Sequence, residues 1–309
     1  MSFNEKLLPE KLSPTRLKDY LQCPKLFYYK SVLRLPVKGS IHTLKGEVVH
    51  TVLEMIFNHP RDERGVERAV SYVRGAINVY VNPIISREEV ADKFELQLRD
   101  YLNLFERDRD LDEKLEKKSF EAREIIELNG GIDDFTLSIY DLVNQWYGME
   151  NPIKFDPEER EMHVEAEIGG YKVQGYIDRL DAFLKFDSKE YFISDYKTGS
   201  VPSEKYLDDA FFAMKIYALL LRKSRGIQAK ALRLIYVKQG DLSGVKKLDL
   251  NDKVILETEK KVKSVIRNIK NDFRNDKWST RKGPLCGWCN FQDICPAFNK
   301  NEIDSLEII

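Results

Sequence analysis

Two aspartates and a lysine near the middle of the chain have the types and the spacing of a metal-assisted site. Asp178 lies in a short apolar segment, and Asp195 and Lys197 end the next one. Both segments are rich in β-branched and aromatic residues, and the polar gap between them suits a hairpin. Residues two apart on a strand share a face, so Asp195 and Lys197 project together. A partner strand that carries Asp178 alongside would assemble two carboxylates and an ammonium, which suits a hard divalent cation.

An Asp-x-Lys pair on a strand is more often a surface ion pair, so the order of the surrounding signals decides the interpretation. The chain reads Gly-x-Ile-Asp, a turn, an apolar strand that ends in Asp195-Tyr196-Lys197-Thr198-Gly199, and then a helix. This order resembles the PD-(D/E)xK nucleases, and the five named residues resemble the RecB-like branch of that superfamily. The resemblance implies a restriction-endonuclease-like α/β core with a mixed central sheet flanked by helices.

Four cysteines lie at the two ends of the chain. Cys286, Cys289 and Cys295 share a segment with Gly, Trp and Pro, whereas Cys23 is near the N-terminus. Four thiolates suffice for a tetrahedral zinc or a [4Fe–4S] cluster, although the spacing lacks the two short pairs usual for structural zinc. Two disulfides would need an oxidising compartment, and the first residues carry no apolar signal segment. Unligated core cysteines are the remaining alternative.

The combination of one distant cysteine with Cys-x2-Cys-x5-Cys resembles the iron–sulfur staple of AddB-type helicase–nucleases and of CRISPR-associated adaptation nucleases. The match extends to the helix start at Ser13 and to the Cys23-Pro24 pair. The resemblance implies a staple that joins the N- and C-terminal segments. Its ligands would be Cys23, Cys286, Cys289 and Cys295, around a [4Fe–4S] cluster.

A histidine precedes the sheet in RecB-like nucleases, in a Gly-x3-His helix, and Gly46 and His50 match that setting. A helical histidine alone is more often a packing residue. The metal ligands implied by the resemblance are His50, Asp178, Asp195 and the main-chain carbonyl of Tyr196, around one or two Mg²⁺ or Mn²⁺ ions. Lys197 would then orient or activate the attacking water.

The helix after the sheet carries Gln-x3-Tyr in this family. Tyr217 matches the tyrosine, but Ala213 stands where the family has glutamine. The resemblance implies a catalytic role for Tyr217, and aromatic packing beneath the site is the alternative. Lys215 is a candidate for the missing phosphate contact. Glu165, on the strand before Asp178, is a further candidate to lie near the metals.

The amino-acid composition limits which classes of protein and which binding surfaces are compatible with this chain. The chain has 309 residues, and its 42% hydrophobic content is enough for a core. Its 50 basic and 51 acidic residues give a formal net charge of -1, so any nucleic-acid surface must be a local basic one. No apolar run approaches the roughly 18 residues of a membrane span. With no signal segment either, we expect a cytoplasmic location without membrane contact.

Hydrophobic periodicity places these motifs on predicted elements. Helices are predicted from Ser13, around His50, and at 67–79, 87–105, 135–147, 206–225 and 251–273, and the highly charged segment 106–127 is predicted to be an exposed helix or an arm. Strands are predicted at 162–168, 171–184, 190–197, 229–238 and 245–250. We interpret residues 1–309 as one nuclease domain, with a helical insertion or subdomain at 60–150, a catalytic sheet core at 160–250 and an iron–sulfur loop at 276–298 paired with Cys23.

The sequence contains no Gly-x4-Gly-Lys-Ser/Thr phosphate loop, so it lacks the ATP motor that accompanies this domain in AddB and RecB. The resemblance to stand-alone enzymes of the branch implies a Mg²⁺- or Mn²⁺-dependent deoxyribonuclease, an exonuclease on single-stranded DNA ends. The alternative is a catalytically weak module that holds DNA ends for a partner helicase, recombinase or integrase. A zinc-stapled structural protein is the other alternative, and a CRISPR-adaptation complex is a further candidate setting.

Overall fold

A six-stranded mixed sheet separates two groups of helices in this protein. The structure is a computed structural model that describes residues 7–81, 109–186 and 188–299. The helix predicted at 87–105 lies outside the described residues. Because helices cover both faces of the mixed sheet, the predicted α/β architecture is confirmed, and it is consistent with a restriction-endonuclease-like fold.

The N-terminal segment begins with a two-residue strand and two helices. These are β1 (Lys11–Leu12), α1 (Pro14–Gln22) and α2 (Pro24–Phe27), followed by a π-helical turn at Tyr28–Val32. The Ser13 side chain caps α1 by accepting the Arg16 N–H at 3.2 Å, and Pro14 occupies the first helical turn as predicted. Strand β1 was not predicted, because two residues show no periodicity.

Among the described residues, four helices precede the main sheet: α3 (Ile41–Met55), α4 (Val66–Val81), α5 (Arg109–Glu127) and α6 (Gly131–Met149). Gly130 and Gly131 have φ values of 105° and 85°, which explains the predicted break between α5 and α6. Residues of α3, α4 and α6 pack with one face of the sheet around Val52, Val73, Trp146, Tyr196 and Ile235, which we call the second apolar cluster.

The sheet contains β2 (Glu159–Glu167), β3 (Lys172–Lys185), β4 (Ser188–Lys197), β5 (Ala229–Tyr236) and β6 (Val245–Asp249). Strands β2, β3 and β4 are antiparallel neighbours, β5 is parallel to β4, β6 is antiparallel to β5, and β1 pairs with the start of β3. The parallel pair requires a crossover, which α7 (Leu207–Ala210) and α8 (Phe212–Arg225) supply.

The last long helix, α9 (Asp252–Arg274), starts where predicted, since the Asn251 side chain accepts the Val254 N–H at 3.0 Å. Helices α1, α8 and α9 cover the other face of the sheet around Leu17, Leu219, Leu234 and Val262, the first apolar cluster. Among the described residues, no helix has the length and apolar character needed to cross a membrane.

Candidate active site

Helix α3 brings His50 against the end of β4. The His50 Nε2 atom lies 2.9 Å from the main-chain oxygen of Tyr196, and Nδ1 lies 3.3 Å from Asp178 Oδ2. Gly46 is one turn earlier, and a Cβ atom there would lie 3.6 Å from Thr198 Oγ1. The Gly-x3-His segment therefore packs directly on the Asp-Tyr-Lys-Thr segment, although 146 residues separate His50 from Tyr196.

Strands β3 and β4 bring the two aspartates together. Their pairing runs up to Arg179 opposite Ser194, and just beyond it the Tyr196 N–H donates to Asp178 Oδ2 at 3.1 Å. Asp195 and Lys197 lie on one strand face and form a close ion pair. The structure thus brings Asp178, Asp195, Lys197, His50 and the Tyr196 carbonyl to one place.

Negative charge is in excess at this place. Burial, and then the Asp195 charge, raise the pKa of Asp178 to about 6. Desolvation in the cleft, and then the charges of Asp178, Glu54 and Asp195, raise the pKa of Glu161 to about 8. Burial also raises the pKa of Glu54. Lys197 lowers the pKa of Asp178 and Arg160 lowers that of Glu54, but in each case by less than burial raises it. The carboxylates therefore remain short of positive charge, which a divalent cation can supply.

The donor atoms fit such a cation. One ligand atom each from His50, Glu161 and Asp178 lies within 4.8 Å of the others, the only such group of acidic, histidine or cysteine residues among those the structure describes. A cavity of about 10 Å³ opens among them, lined also by Glu54 and Tyr196. That volume matches a single water molecule or ion. Carboxylate and carbonyl oxygens suit Mg²⁺ and Mn²⁺, and the imidazole suits Mn²⁺ better.

Lys197 and Tyr217 flank the carboxylates. Burial alone would lower the pKa of Lys197, but the Asp195 charge outweighs it and the net shift is upward, so Lys197 stays cationic. Burial, and then the charges of Asp195 and Asp178, raise the pKa of Tyr217, which keeps its hydroxyl protonated as a hydrogen-bond donor. The Tyr217 ring packs so closely on Gly175 that a Cβ atom there would overlap it. This contact explains on steric grounds why the Gly-x-Ile-Asp segment has glycine at position 175.

The four cysteines line the same cavity although Cys23 is far from the other three in the sequence. All of them are free and half-buried, and all line one cavity of about 310 Å³. The Arg281 N–H donates to Cys23 Sγ at 3.4 Å, and the Gly283 N–H donates to Cys286 Sγ at 3.4 Å. The described part of the chain contains no set of three thiols within 4.8 Å of one another. The cysteines therefore share a cavity without forming a tight cluster.

Two weaker candidates from the sequence lie elsewhere. Glu165 pairs with Gln174 in the β2–β3 ladder and forms an ion pair with Lys11 at 2.6 Å, so it does not reach the carboxylate group. Lys215 forms an ion pair with Asp208 at the start of the same helical region, which occupies its ammonium group. The prediction that Glu165 lies near the metals is wrong, since it is four residues along the strand from Glu161.

Two acidic residues of the site were missed in the sequence. Glu54 follows His50 by four residues on α3, and this spacing on one helix face was a usable signal. Glu161 is on β2, where only the register with β3 shows that it lies across from Asp178. No local pattern distinguishes Glu161 from Glu165.

Comparison with known protein families matches residues 11–296 to the PD-(D/E)XK nuclease superfamily. The chain therefore belongs to this superfamily and is a nuclease by family. A search of curated proteins finds no match. A crystal structure described as a "Putative exonuclease" from Eubacterium rectale covers 100% of both chains, at 11% identity and a TM-score of 0.49. A structure of SSO0001 covers 46% of this chain and 61% of its own, at 21% identity and a TM-score of 0.29.

Proposed function

We propose that this protein is a metal-dependent deoxyribonuclease that hydrolyses phosphodiester bonds with an activated water. The observation that carries the proposal is the convergence of His50, Asp178, the Tyr196 carbonyl and the Asp195–Lys197 pair. These groups come from α3, β3 and β4, and the superfamily match covers all three elements.

The side chains divide the work of a phosphoryl transfer. Asp178, Asp195, His50 and the Tyr196 carbonyl would hold Mg²⁺ or Mn²⁺, which supplies a water of lowered pKa and offsets charge on the phosphate. Lys197 stays cationic beside Asp195, so it can orient the attacking water and stabilise a developing oxyanion. Tyr217 keeps its hydroxyl proton and can donate it to a phosphate oxygen.

We further propose that Cys23, Cys286, Cys289 and Cys295 hold a [4Fe–4S] cluster. Their shared cavity of about 310 Å³ supports a polynuclear cluster, since a single metal ion would leave most of it empty. A tetrahedral zinc would bring its sulfurs to about 3.8 Å from one another, given Zn–S bonds of about 2.3 Å. The wider separation of the thiols, with no three within 4.8 Å in the described residues, supports the cluster over zinc.

The proposed substrate is single-stranded DNA with a free end. The chemistry of the site does not require a partner that presents this end. This part of the proposal rests on the resemblance to stand-alone RecB-like enzymes. A helicase, recombination or CRISPR-adaptation complex would be the setting in which such ends arise. A module that only binds DNA ends is the competing outcome.

The test is cleavage of end-labelled DNA by the purified full chain with Mn²⁺ or Mg²⁺. Single-stranded, duplex and RNA substrates with blocked 5′ or 3′ ends report the substrate class and polarity. We expect Asp195→Asn and Lys197→Ala to lower the rate by at least about a hundredfold while DNA binding persists, because the first weakens a proposed metal ligand and the second removes the cation beside the phosphate. Asp249→Asn, which removes the partner of an exposed lysine at 2.8 Å, is the matched control. Near-parental cleavage by Asp195→Asn would contradict the assignment.

A further inference from the structure

Glu161 has an unusual backbone for a residue inside a strand. Its φ value is 43°, in the left-handed region that residues other than glycine rarely adopt. The residues on either side of it are in regular register, with Arg160 opposite Arg179 and Met162 opposite Ile177. The irregularity is therefore confined to one residue of β2. Such backbone positions concentrate at functional sites.

The irregularity changes which side of the sheet β2 faces. Met162 packs on the first apolar cluster, whereas Arg160 donates to the Glu54 carbonyl oxygen of α3 at 2.6 Å, on the side of the second cluster. Residues two apart on a regular strand share a face. The change of face thus falls at Glu161.

Strand β3 changes face at the neighbouring position. Ile177 packs in the first apolar cluster, whereas Arg179 donates to Glu150 at the end of α6, at 2.6 Å. The change of face falls at Asp178, directly across from Glu161. The alternation of side chains between the two faces of the sheet is therefore interrupted at the same paired position in both strands. The two residues at that position, Glu161 and Asp178, both carry carboxylates.

The break brings Glu161 to the candidate metal ligands. A carboxylate oxygen of Glu161 lies within 4.8 Å of ligand atoms of both His50 and Asp178. Glu161 has no ion-pair partner within the part of the chain that the structure describes, whereas Glu165 on the same strand is paired with Lys11 at 2.6 Å. The cavity of about 10 Å³ lies between these groups.

We propose that Glu161 is a further ligand of the divalent cation, held toward it by the paired break in β2 and β3. The inference rests on the proposed function for the presence of the cation, but it concerns a residue that the Asp-x-Lys and Gly-x3-His motifs do not contain. Glu161 adds a carboxylate from β2 to the side-chain ligands that α3, β3 and β4 already contribute in the proposed function.

The test measures metal binding without reference to catalysis. The full chain is freed of metal and titrated with Mn²⁺ while electron paramagnetic resonance reports the free ion. We expect Glu161→Gln to weaken Mn²⁺ affinity by at least about tenfold, the scale of losses at metal sites. Glu165→Gln, the same change four residues along the strand, should bind Mn²⁺ like the parent, and Asp178→Asn is the reference for a lost ligand.

Melting temperatures separate a ligand from a structural residue. Glutamine keeps the size of the side chain, so Glu161→Gln without metal should melt close to the parent. Binding to the folded state raises the melting temperature by mass action. A Mn²⁺ concentration that saturates the parent should therefore raise the melting temperature of Glu161→Gln by less than that of the parent. Equal Mn²⁺ affinity and an equal metal-induced shift in Glu161→Gln and parent would overturn the proposal.

The two proposals fail in different ways. A parent protein that cleaves DNA while Glu161→Gln binds Mn²⁺ normally would leave the nuclease function standing and remove Glu161 from the site. A parent that binds Mn²⁺ through Glu161 but cleaves no nucleic acid would contradict the proposed function and support the ligand. A parent that binds no Mn²⁺ at all would contradict both.

Discussion

His50 is held by the same two groups that it would share with a metal ion. Its two ring nitrogens lie near Asp178 and near the Tyr196 carbonyl, and its ring makes an edge contact with the Tyr196 ring at 5.9 Å. The side chain is half-buried, so it is accessible to a ligand but also contributes to packing. The two roles predict different responses to its removal.

We predict that His50→Ala lowers the cleavage rate and raises the Mn²⁺ concentration needed for half-maximal rate, by about tenfold or more, because a ligand is lost. The parent should be more active with Mn²⁺ than with Mg²⁺, since imidazole suits the transition ion. The measurement is a metal titration of the rate beside melting curves. His42→Ala, an exposed histidine of the same helix, is the control. A lowered melting temperature with an unchanged metal midpoint would return His50 to a packing role.

Substitutions of Gly175 and Tyr217 test whether the close contact between β3 and α8 limits the side chains that position 175 can accept. We predict that Gly175→Ala destabilises the fold by about 1–3 kcal/mol, as overpacking does. It should also slow cleavage, because the ring must move. In a Tyr217→Ala background the same change should cost much less, since the overlapping atoms are gone. Urea unfolding of the four proteins of this cycle measures the coupling. Equal costs in both backgrounds would show that the contact is not the cause.

At the residue scale, the sequence revealed those site residues that lie in compact motifs. Asp195 and Lys197 share a strand face, so their pairing followed from the two-residue period alone. The position of Glu161 depends on a strand register and on a local break, which no periodicity reveals. The sequence therefore directed attention to Glu165, whose alternation is regular and whose carboxylate binds Lys11.

A buried ion network ties the helical region to the catalytic strands. The Arg179 side chain is 1% exposed, donates to both oxygens of Glu150 at 2.6 and 2.8 Å, and also bonds Asp181 and the Tyr196 hydroxyl. Asp181 in turn accepts from Ser194 at 2.9 Å and from Arg233 on β5. The network joins the end of α6 to β3, β4 and β5, and it starts at the residue that follows Asp178 on β3.

We predict that Glu150→Ala lowers the free energy of unfolding by about 3–5 kcal/mol, because it removes a carboxylate that neutralises the buried guanidinium of Arg179. Glu158→Ala, which breaks an exposed pair with Lys189, should cost less than about 1 kcal/mol. Burial would raise the pKa of Glu150, but Arg179 outweighs it and lowers the pKa. The contribution is thus complete at neutral pH and is lost only in acid, as the pH falls below the ordinary pKa of glutamate. Urea unfolding at neutral pH measures both variants, and similar costs would contradict the argument.

At the element scale, long periodic segments were predictable and exceptions to the period were not. The helix from Asn251 and the strands that carry Asp178 and Asp195 are close to their predicted bounds, and a helix contains His50 as predicted. The segment predicted as one helix over 206–225 is divided, with α7 ending at Ala210 before α8 begins. The packing of α3 on β4 depends on contacts across 146 residues, which local patterns do not encode.

At the scale of the whole molecule, the cysteines should act as a unit. We predict that Cys23→Ser loses iron, along with the visible absorption of an iron–sulfur protein, and lowers the melting temperature, because a cluster that joins distant residues restricts the unfolded chain. Anaerobically prepared parent should hold about four iron atoms per chain. Iron and zinc analysis with a visible spectrum measures this, and Ser279→Ala beside the same loop is the control. Parent protein with zinc and no iron would contradict the cluster.

The contacts around α2 and the π-helical turn have a consequence for the timing of folding. The Lys25 N–H donates to the Ser279 carbonyl, Phe27 and Tyr28 stack on Trp278, and the Tyr29 hydroxyl donates to the Ile294 carbonyl, 265 residues later. At about 5–20 residues per second, a ribosome needs roughly 13 to 53 s to make the chain between the last two. The segment around α2 therefore completes its packing only after a segment about 265 residues later has been made. Its aromatic surface is exposed meanwhile, so slow elongation should increase aggregation of the nascent chain.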